Sequence, residues 1–369
     1  VCSSLVCSPG RDSGRGTYFK ICIKGLRFKC SVCFAEVSIV WRTNPALDIL
    51  NKNMNNSSNI FMGVLCLYCL LWGASTVSAD SIERVGKATR ELPISSNLVL
   101  EKIAGDYNGC EGPLWVEDDE GGYLMYGAVH TNIAYIWREG TGAIELKNPS
   151  NEASVFKPAP DKSGTFIVAE QTTRRIVRYE KDGSISLVAD RFEGKQFNRP
   201  NDLTIHSDGS VWFTDPDYLF KQRPKETKEL DAQHIFRIDL GDGSVQSMDA
   251  SLDKPNGITF TPDEKYVLAS DTSTSKVFKW EVLEDGLGSR SVFVELPQDR
   301  LDGIKFDWKG NLWVAAADSI YIVSPDGTVF AKIAMPIKPT AIEFGGTDRR
   351  TPFITTRQAV FRLVNPSKD

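Results

Sequence analysis

Cysteine is almost absent from most of this 369-residue chain. Seven of the eight cysteines lie within residues 1–79, so Cys110 alone remains beyond that point and no internal disulfide can form there. The chain has no Gly-x-Ser-x-Gly motif, and its three histidines include no pair at zinc-ligand spacing. The sequence therefore disfavours both a serine nucleophile on a strand-to-helix elbow and a histidine-based zinc site.

Long apolar runs are also scarce. The longest uncharged apolar stretch, within residues 54–79, is roughly 13 residues long, fewer than the ~20 that a membrane span needs. Small residues follow it and end at Ala79, which is the pattern of a secretory signal peptide and fits a membrane anchor less well. We therefore expect an exported protein, periplasmic or secreted. Residues 1–53 are then expected to be an upstream extension that is unstructured or non-native.

An excess of basic charge is missing as well. Residues 1–79 hold eight Lys or Arg and three Asp or Glu, which leaves 35 basic and 45 acidic residues in the rest of the chain. An acidic surface of this kind disfavours nucleic acids and anionic membranes as partners. A small-molecule partner is therefore expected, and the sequence leaves the oligomeric state open.

The chain does contain a repeat. A turn followed by an apolar strand recurs six times, at spacings of 43, 45, 55, 46 and 41 residues. Periods of this length with several short strands per unit indicate a β-propeller, whereas a β-sandwich predicts no sixfold repeat. The six segments are GGYLMYG, GTFIVAE, GSVWFTD, EKYVLAS, GNLWVAA and TPFITTR.

The sixth unit ends without a fourth strand. The segment NLVLEKIA, residues 97–104, precedes the first unit and is expected to supply that strand, because ring closure pairs the open sheet edges. The expected fold class is all-β, a six-bladed β-propeller over residues 95–369 closed by an N-terminal strand. A long polar insertion, residues 221–233, is expected to form a loop at the rim of the central opening.

Polar residues recur where the first strand of each unit begins. First strands line the channel of a propeller, so Glu111, Asn201, Asn256 and Asp302 are expected to converge on its axis. Two carboxylates brought close together repel each other unless a cation neutralises them. Carboxylate and amide oxygens suit one divalent metal, Ca²⁺ first, with Zn²⁺, Mg²⁺ or Mn²⁺ as alternatives. The competing interpretation is that Asn and Asp simply favour turns at strand ends.

Four blocks of the sequence stand out: EGPLW from Glu111, FNRPNDLTIHSDGSVWFTDPDY from Phe197, KPNGITFTPDEKYVLASD from Lys254 and LDGIKFDWKGNLWVAA from Leu301. These blocks resemble the regucalcin and gluconolactonase family (SMP-30/gluconolactonase/LRE-like). The resemblance implies a six-bladed propeller with calcium- or zinc-dependent lactonase activity. It also implies metal ligands at Glu111, Asn256 and Asp302, a metal and substrate contact at Asn201, and a substrate contact at Arg199.

The function that this resemblance implies is metal-dependent hydrolysis of a sugar-type lactone. Asp302 is the candidate general base, while Arg199 and Asn201 would orient the substrate. The alternatives are a metal-dependent esterase or organophosphate hydrolase on the same site, or a propeller that binds a partner without catalysis.

Two stretches depart from the family pattern. Gly127 and Ala128 stand where a Ser-Asp pair usually precedes the third strand of the first unit. Glu152 and Ala153 stand where Asn-Gly often begins the second unit. Both departures concern the substrate pocket rather than the expected metal ligands.

Overall fold

The computed structural model describes residues 5–11, 17–23, 82–85, 91–95, 98–218, 220, 226–297 and 300–364. The chain divides into two compact units, Val1–Gly73 and Ala74–Asp369. In the first unit, one antiparallel hairpin pairs Leu5–Arg11 with Thr17–Ile23. The signal peptide predicted over residues 54–79 lies outside the described residues. Within the part of the chain that is described, no helix has the length and apolar composition of a membrane span.

The second unit is the predicted six-bladed β-propeller. Each blade is an antiparallel sheet, and in blades 1 to 5 the strands follow the sequence from the axis outward. Blade 1 comprises Cys110–Val116, Tyr123–Ala128, Ile133–Arg138 and Gly142–Lys147, and blade 2 comprises Ala153–Pro158, Phe166–Glu170, Arg175–Tyr179 and Ile185–Ala189. Blade 3 comprises Leu203–Ile205, Val211–Asp215, His234–Ile238 and Val245–Asp249, and blade 4 comprises Pro255–Phe260, Tyr266–Asp271, Lys276–Leu283 and Ser291–Glu295. Blade 5 comprises Ile304–Phe306, Leu312–Ala315, Ser319–Val323 and Val329–Ala334, and blade 6 begins with Pro339–Gly345, Thr351–Thr356 and Ala359–Val364.

Short elements complete the described secondary structure. A hairpin of Arg191–Phe192 and Lys195–Gln196 joins blades 2 and 3. Gly286–Leu287 pairs with the third strand of blade 4, and Val129–Thr131 forms a single 3₁₀ turn.

The ring closes as the sequence predicts. Val99–Gly105 is the fourth strand of blade 6, with Val99 opposite Val364 and Gly105 opposite Ala359. This strand begins two residues later than the predicted segment. Blade 5 also gains a fifth strand that was not predicted, Ile82–Arg84, which pairs with Val329–Ala334.

Apolar side chains fill the spaces between neighbouring blades. One cluster of buried hydrophobic residues lies at each of the six interfaces. Phe213 and Phe236, for example, pack between blades 2 and 3 with their ring centroids 5.3 Å apart. Because each sheet is covered on both faces, its central strands are buried throughout, as in Val211–Asp215.

The innermost strands set the geometry of the central channel. Each contacts the innermost strands of the two adjacent blades, and blade 6 contacts blade 1, so the six form a closed ring. Each is followed in sequence by the second and third strands of its blade, and all six run in the same direction along the channel. The residues at which they begin therefore share one end of the ring.

Candidate functional site

Six residues mark the entrances of the innermost strands at one end of the channel. Glycine follows three of them, at positions 112, 257 and 303, and the close approach of the blades requires it. A Cβ on Gly257 would lie 2.6 Å from the backbone nitrogen of Ile304, and one on Gly303 would lie 2.8 Å from the carbonyl oxygen of Thr340. The entrance residues in blade order are Glu111, Glu152, Asn201, Asn256, Asp302 and Thr340.

Glu111 and Asp302 are close enough to perturb each other. Burial raises the pKa of Glu111 well above its usual range, and the charge of Asp302 raises it further. No described residue donates a hydrogen bond to the Glu111 carboxylate. Burial also raises the pKa of Asp302, whose exposed fraction is 5%. A cation bound between two such acids would relieve their repulsion.

Asp302 is held by two neighbours that oppose the effect of burial on its pKa. Lys338 Nζ lies 3.1 Å from Asp302 Oδ2, and this ion pair lowers the pKa of the acid. The neighbouring Asn256 side chain lowers the same pKa. Asp302 therefore keeps a tendency to ionise although it is buried.

The Asn256 amide is fixed by residues on its own and the preceding blade. Its Nδ2 donates to the Tyr218 hydroxyl at 3.1 Å and to Thr272 Oγ1 at 3.3 Å. These contacts occupy the nitrogen, while no described residue donates to Oδ1. The amide oxygen is therefore available as a metal ligand.

Asn201 stands at the entrance of blade 3 with its backbone tied on both sides. Its N–H donates to the Thr214 carbonyl at 2.9 Å, and its own carbonyl accepts from Ser154 Oγ at 2.7 Å. Thr214 Oγ1 in turn donates to the carbonyl of Asn256 at 2.6 Å, which links the two asparagine positions. No described side chain hydrogen-bonds the Asn201 amide, so both of its polar atoms can serve a ligand.

The entrance of blade 2 is closed by an ion pair. Arg199 is fully buried, and its Nη2 donates to Glu152 Oε2 at 2.5 Å. Its Nη1 donates to Glu226 Oε2 at 2.9 Å, so the described part of the predicted rim insertion does reach this face. The acid at the second entrance is thus neutralised by Arg199. The structure therefore places Glu152 outside the set of carboxylates that need a cation.

The hydroxyl of Thr340, at the entrance of blade 6, also has partners within the protein. Its hydroxyl donates to the carbonyl of Cys110 at 2.5 Å and lies 2.9 Å from Thr355 Oγ1. This contact holds blade 6 against the residue next to Glu111, so Thr340 has a structural role.

The remaining four entrance residues fit a divalent metal. Glu111 and Asp302 supply two carboxylates, and Asn201 and Asn256 supply two amide oxygens. Oxygen donors of this kind match Ca²⁺, which accepts six to eight of them, with water or substrate completing the shell. No group of three or more His, Cys, Asp or Glu is arranged for a metal among the described residues. The fit therefore depends on the amides as well as the acids.

Sequence reasoning missed three side chains around this site. Lys338 and Arg357 both lower the pKa of Glu111 and Asp302 through their charge, and Tyr218 anchors Asn256. All three lie on connections between strands, where the sixfold repeat carries no signal. Only their position next to an entrance residue reveals them.

Comparison with known proteins places this geometry in a family. The sequence pattern described as "SMP-30/Gluconolactonase/LRE-like region" matches residues 110–358. A gluconolactonase of Zymomonas mobilis is 30% identical over 76% of this chain and 86% of its own length. A 6-deoxy-6-sulfogluconolactonase of Pseudomonas putida is 31% identical over 53% of this chain and 66% of its own length.

A solved structure agrees with these sequence matches. The gluconolactonase of Xanthomonas campestris superposes with a TM-score of 0.71 at 25% identity, over 80% of this chain and 98% of that protein. Its match extends over the propeller and supports the resemblance seen in the four sequence blocks. The chain therefore belongs to the SMP-30/gluconolactonase/LRE-like family.

Proposed function

We propose that this protein hydrolyses a sugar-type lactone at the entrance end of the propeller channel, with one divalent cation held by Glu111, Asn201, Asn256 and Asp302. The observation that carries the proposal is that Glu111 and Asp302, both desolvated, stand at entrances of the same channel end, and that the charge of Asp302 raises the pKa of Glu111. Relatives named as lactonases support lactone hydrolysis as the reaction. Ca²⁺ is the first candidate, and Zn²⁺, Mg²⁺ and Mn²⁺ are the alternatives.

The bound cation would act as a Lewis acid that polarises the lactone carbonyl. Asp302 would take a proton from the attacking water. Burial raises its pKa, which makes the carboxylate a stronger base, while the ion pair with Lys338 at 3.1 Å opposes that rise. The unpartnered amide of Asn201 can donate to a ring hydroxyl or accept from one.

Arg199 is proposed to contact the substrate while it also binds two carboxylates of the protein. It is fully buried and gives Nη1 and Nη2 to carboxylates, so it would have to share its guanidinium with the substrate. It also positions Glu152 and Glu226 beside the mouth. Arg199→Lys should therefore raise KM more than it lowers kcat, because a lysine cannot hold both carboxylates in the same forked geometry.

The test is acid release from glucono-δ-lactone by metal-stripped protein to which Ca²⁺, Zn²⁺, Mg²⁺ or Mn²⁺ is restored. We expect turnover that depends on the cation and is abolished in Glu111→Gln. Glu117→Gln is the matched control, because Glu117 directly follows the same strand and is exposed. Turnover that survives both chelation and Glu111→Gln would refute the proposal.

Activity and cation-binding measurements on the same metal-stripped protein distinguish the two alternative functions. Activity on aryl esters or organophosphates without activity on aldonolactones would select the esterase. Failure to bind any divalent cation would select an interaction propeller. Export to the periplasm or the medium is a separate proposal, supported by the signal-like pattern that ends at Ala79. Amino-terminal sequencing of the native protein tests it, since a mature chain should begin at residue 80.

A further inference from the structure

Arg357 is a cationic residue at the channel mouth that the proposed reaction does not use. It lies in the turn between Thr351–Thr356 and Ala359–Val364. Its backbone N–H donates to the carbonyl of Lys338 at 3.0 Å, and its carbonyl accepts from the N–H of Gly109 at 2.7 Å. The turn is therefore held between the segment that carries Lys338 and the segment that leads to Glu111.

The guanidinium of Arg357 has no carboxylate within ion-pair distance among the described residues. Other cations on this face do have one: Lys338 pairs with Asp302, and Lys254 pairs with Asp217. The polar contact that the structure shows for Arg357 is with His130, whose Nε2 lies 3.4 Å from Nη1. The side chain is exposed, so its donors face solvent at the mouth.

Metal binding would leave this positive charge uncompensated. The positive charges of Arg357 and Lys338 now offset the negative charges of Glu111 and Asp302. A divalent cation bound to these two carboxylates would offset the same negative charges. Lys338 and Arg357 would then present two positive charges at one side of the mouth. An anionic group on a bound molecule would be drawn to that side.

We propose that Arg357, with Lys338 beside it, binds an oxyanion substituent of the substrate, so that the preferred substrates are lactones bearing a carboxylate, phosphate or sulfonate group. This inference rests on the proposed lactonase function. The planar fork of an arginine matches carboxylate, phosphate and sulfonate oxygens. Lys338 adds a compact charge that can be shared between Asp302 and the ligand. Arg357 is thus a specificity-determining residue.

The first test compares glucono-δ-lactone, which is neutral, with glucarolactone, which carries a free carboxylate. In Arg357→Gln the ratio of kcat/KM for the anionic lactone to that for the neutral lactone should fall about 10- to 100-fold, the size expected for one charge-assisted hydrogen bond. Arg357→Lys should retain part of the preference. Arg350→Gln is the matched control, because Arg350 is an exposed arginine on the opposite turn of the same blade.

A second test does not depend on catalysis. Calorimetry with cation-loaded protein and glucarate, the hydrolysis product, should show salt-sensitive binding that is lost in Arg357→Gln and kept in Arg350→Gln. Circular dichroism verifies that each variant is folded.

The outcomes separate this inference from the proposed function. If neither lactone is hydrolysed but glucarate binding requires Arg357, lactone hydrolysis fails and the anion site stands. If Arg357→Gln lowers kcat/KM equally for both lactones and leaves glucarate binding unchanged, the anion site is refuted while lactone hydrolysis stands.

Discussion

Asp215 offers a quantitative test of how burial controls ionisation in this propeller. Its carboxyl is fully buried, and Oδ2 accepts the backbone N–H of Asn198 at 2.7 Å. The other oxygen, Oδ1, has no hydrogen-bond partner among the described residues. Burial raises the pKa of Asp215 to about 7, although backbone hydrogen bonds and the charges of Arg174 and Lys228 act to lower it.

The sign of the pH effect follows from this raised pKa. Folding favours the protonated acid, so its contribution to stability is complete below the unfolded-state pKa of about 3.9. That contribution is lost as the pH rises through the folded-state pKa of about 7. At about 1.4 kcal/mol per pKa unit, raising the pH from 5 to 8 should remove about 2.6 kcal/mol of folding free energy through this one group.

The variant Asp215→Asn keeps the shape of the side chain but cannot ionise. Urea unfolding of metal-free protein at pH 5 and pH 8 should show the variant gaining about 2.6 kcal/mol on the wild type over that interval. Asp208→Asn is the control, because hydrogen bonds from Ser210 and His206 lower the pKa of Asp208 to about 2 against the effect of burial. Asp208 is then ionised at both pH values. A gain below about 1 kcal/mol for Asp215→Asn would mean that Asp215 is ionised throughout, and the reasoning would fail.

Three further predictions concern the metal, the channel and the closing strand. A divalent cation at about 100 times its Kd should stabilise the wild type by about 2.7 kcal/mol and leave Glu111→Gln unchanged, and an equal rise in Tm for both proteins would contradict the ligand assignment. Gly257→Ala should destabilise the protein by about 1–3 kcal/mol because the new methyl group meets the backbone of Ile304; an unaltered unfolding midpoint would show that the blades can separate there. Leu100→Ala, at a side chain 1% exposed in the closing strand, should cost about 2–5 kcal/mol, whereas Leu187→Ala, at a side chain 57% exposed, should cost no more than about 0.5 kcal/mol. Similar losses in the two leucine variants would argue against a packed closing strand.

The fold could be predicted because each blade repeats the same local instructions. A turn, a buried apolar strand and an alternating strand recur at a nearly constant spacing. Because the sixth unit lacks a fourth strand, that strand was expected from the segment that precedes the first unit. The fifth strand of blade 5, Ile82–Arg84, escaped prediction because three residues carry no pattern of their own. Its pairing depends on the exposed edge of Val329–Ala334.

The site was predictable only in part, for a related reason. Entrance positions belong to the repeat, so Glu111 and Asp302 could be selected although 190 residues separate them. Lys338 and Arg357 belong to connections of differing length and composition. The pair of Arg199 with Glu152 joins residues 47 positions apart on neighbouring blades, and neither residue reveals the other in sequence.

Only four of the six entrance residues can contribute to a metal site, because the side chains at the other two entrances already interact with other residues of the propeller. Arg199 neutralises Glu152 in blade 2, and Thr340 in blade 6 donates to the carbonyl of Cys110. The other four entrances, in blades 1, 3, 4 and 5, retain oxygen atoms that can take a cation. In the proposed function, a substrate carbonyl on that cation would share the mouth with Arg199, on the connection from blade 2 to blade 3, and with Arg357, in blade 6. Arg199→Met removes the cationic partner of Glu152 and should therefore raise the negative charge of the ring. Tighter binding of the cation together with weaker binding of the lactone would show that Arg199 keeps this acid from competing for the metal, whereas unchanged cation affinity would contradict that role.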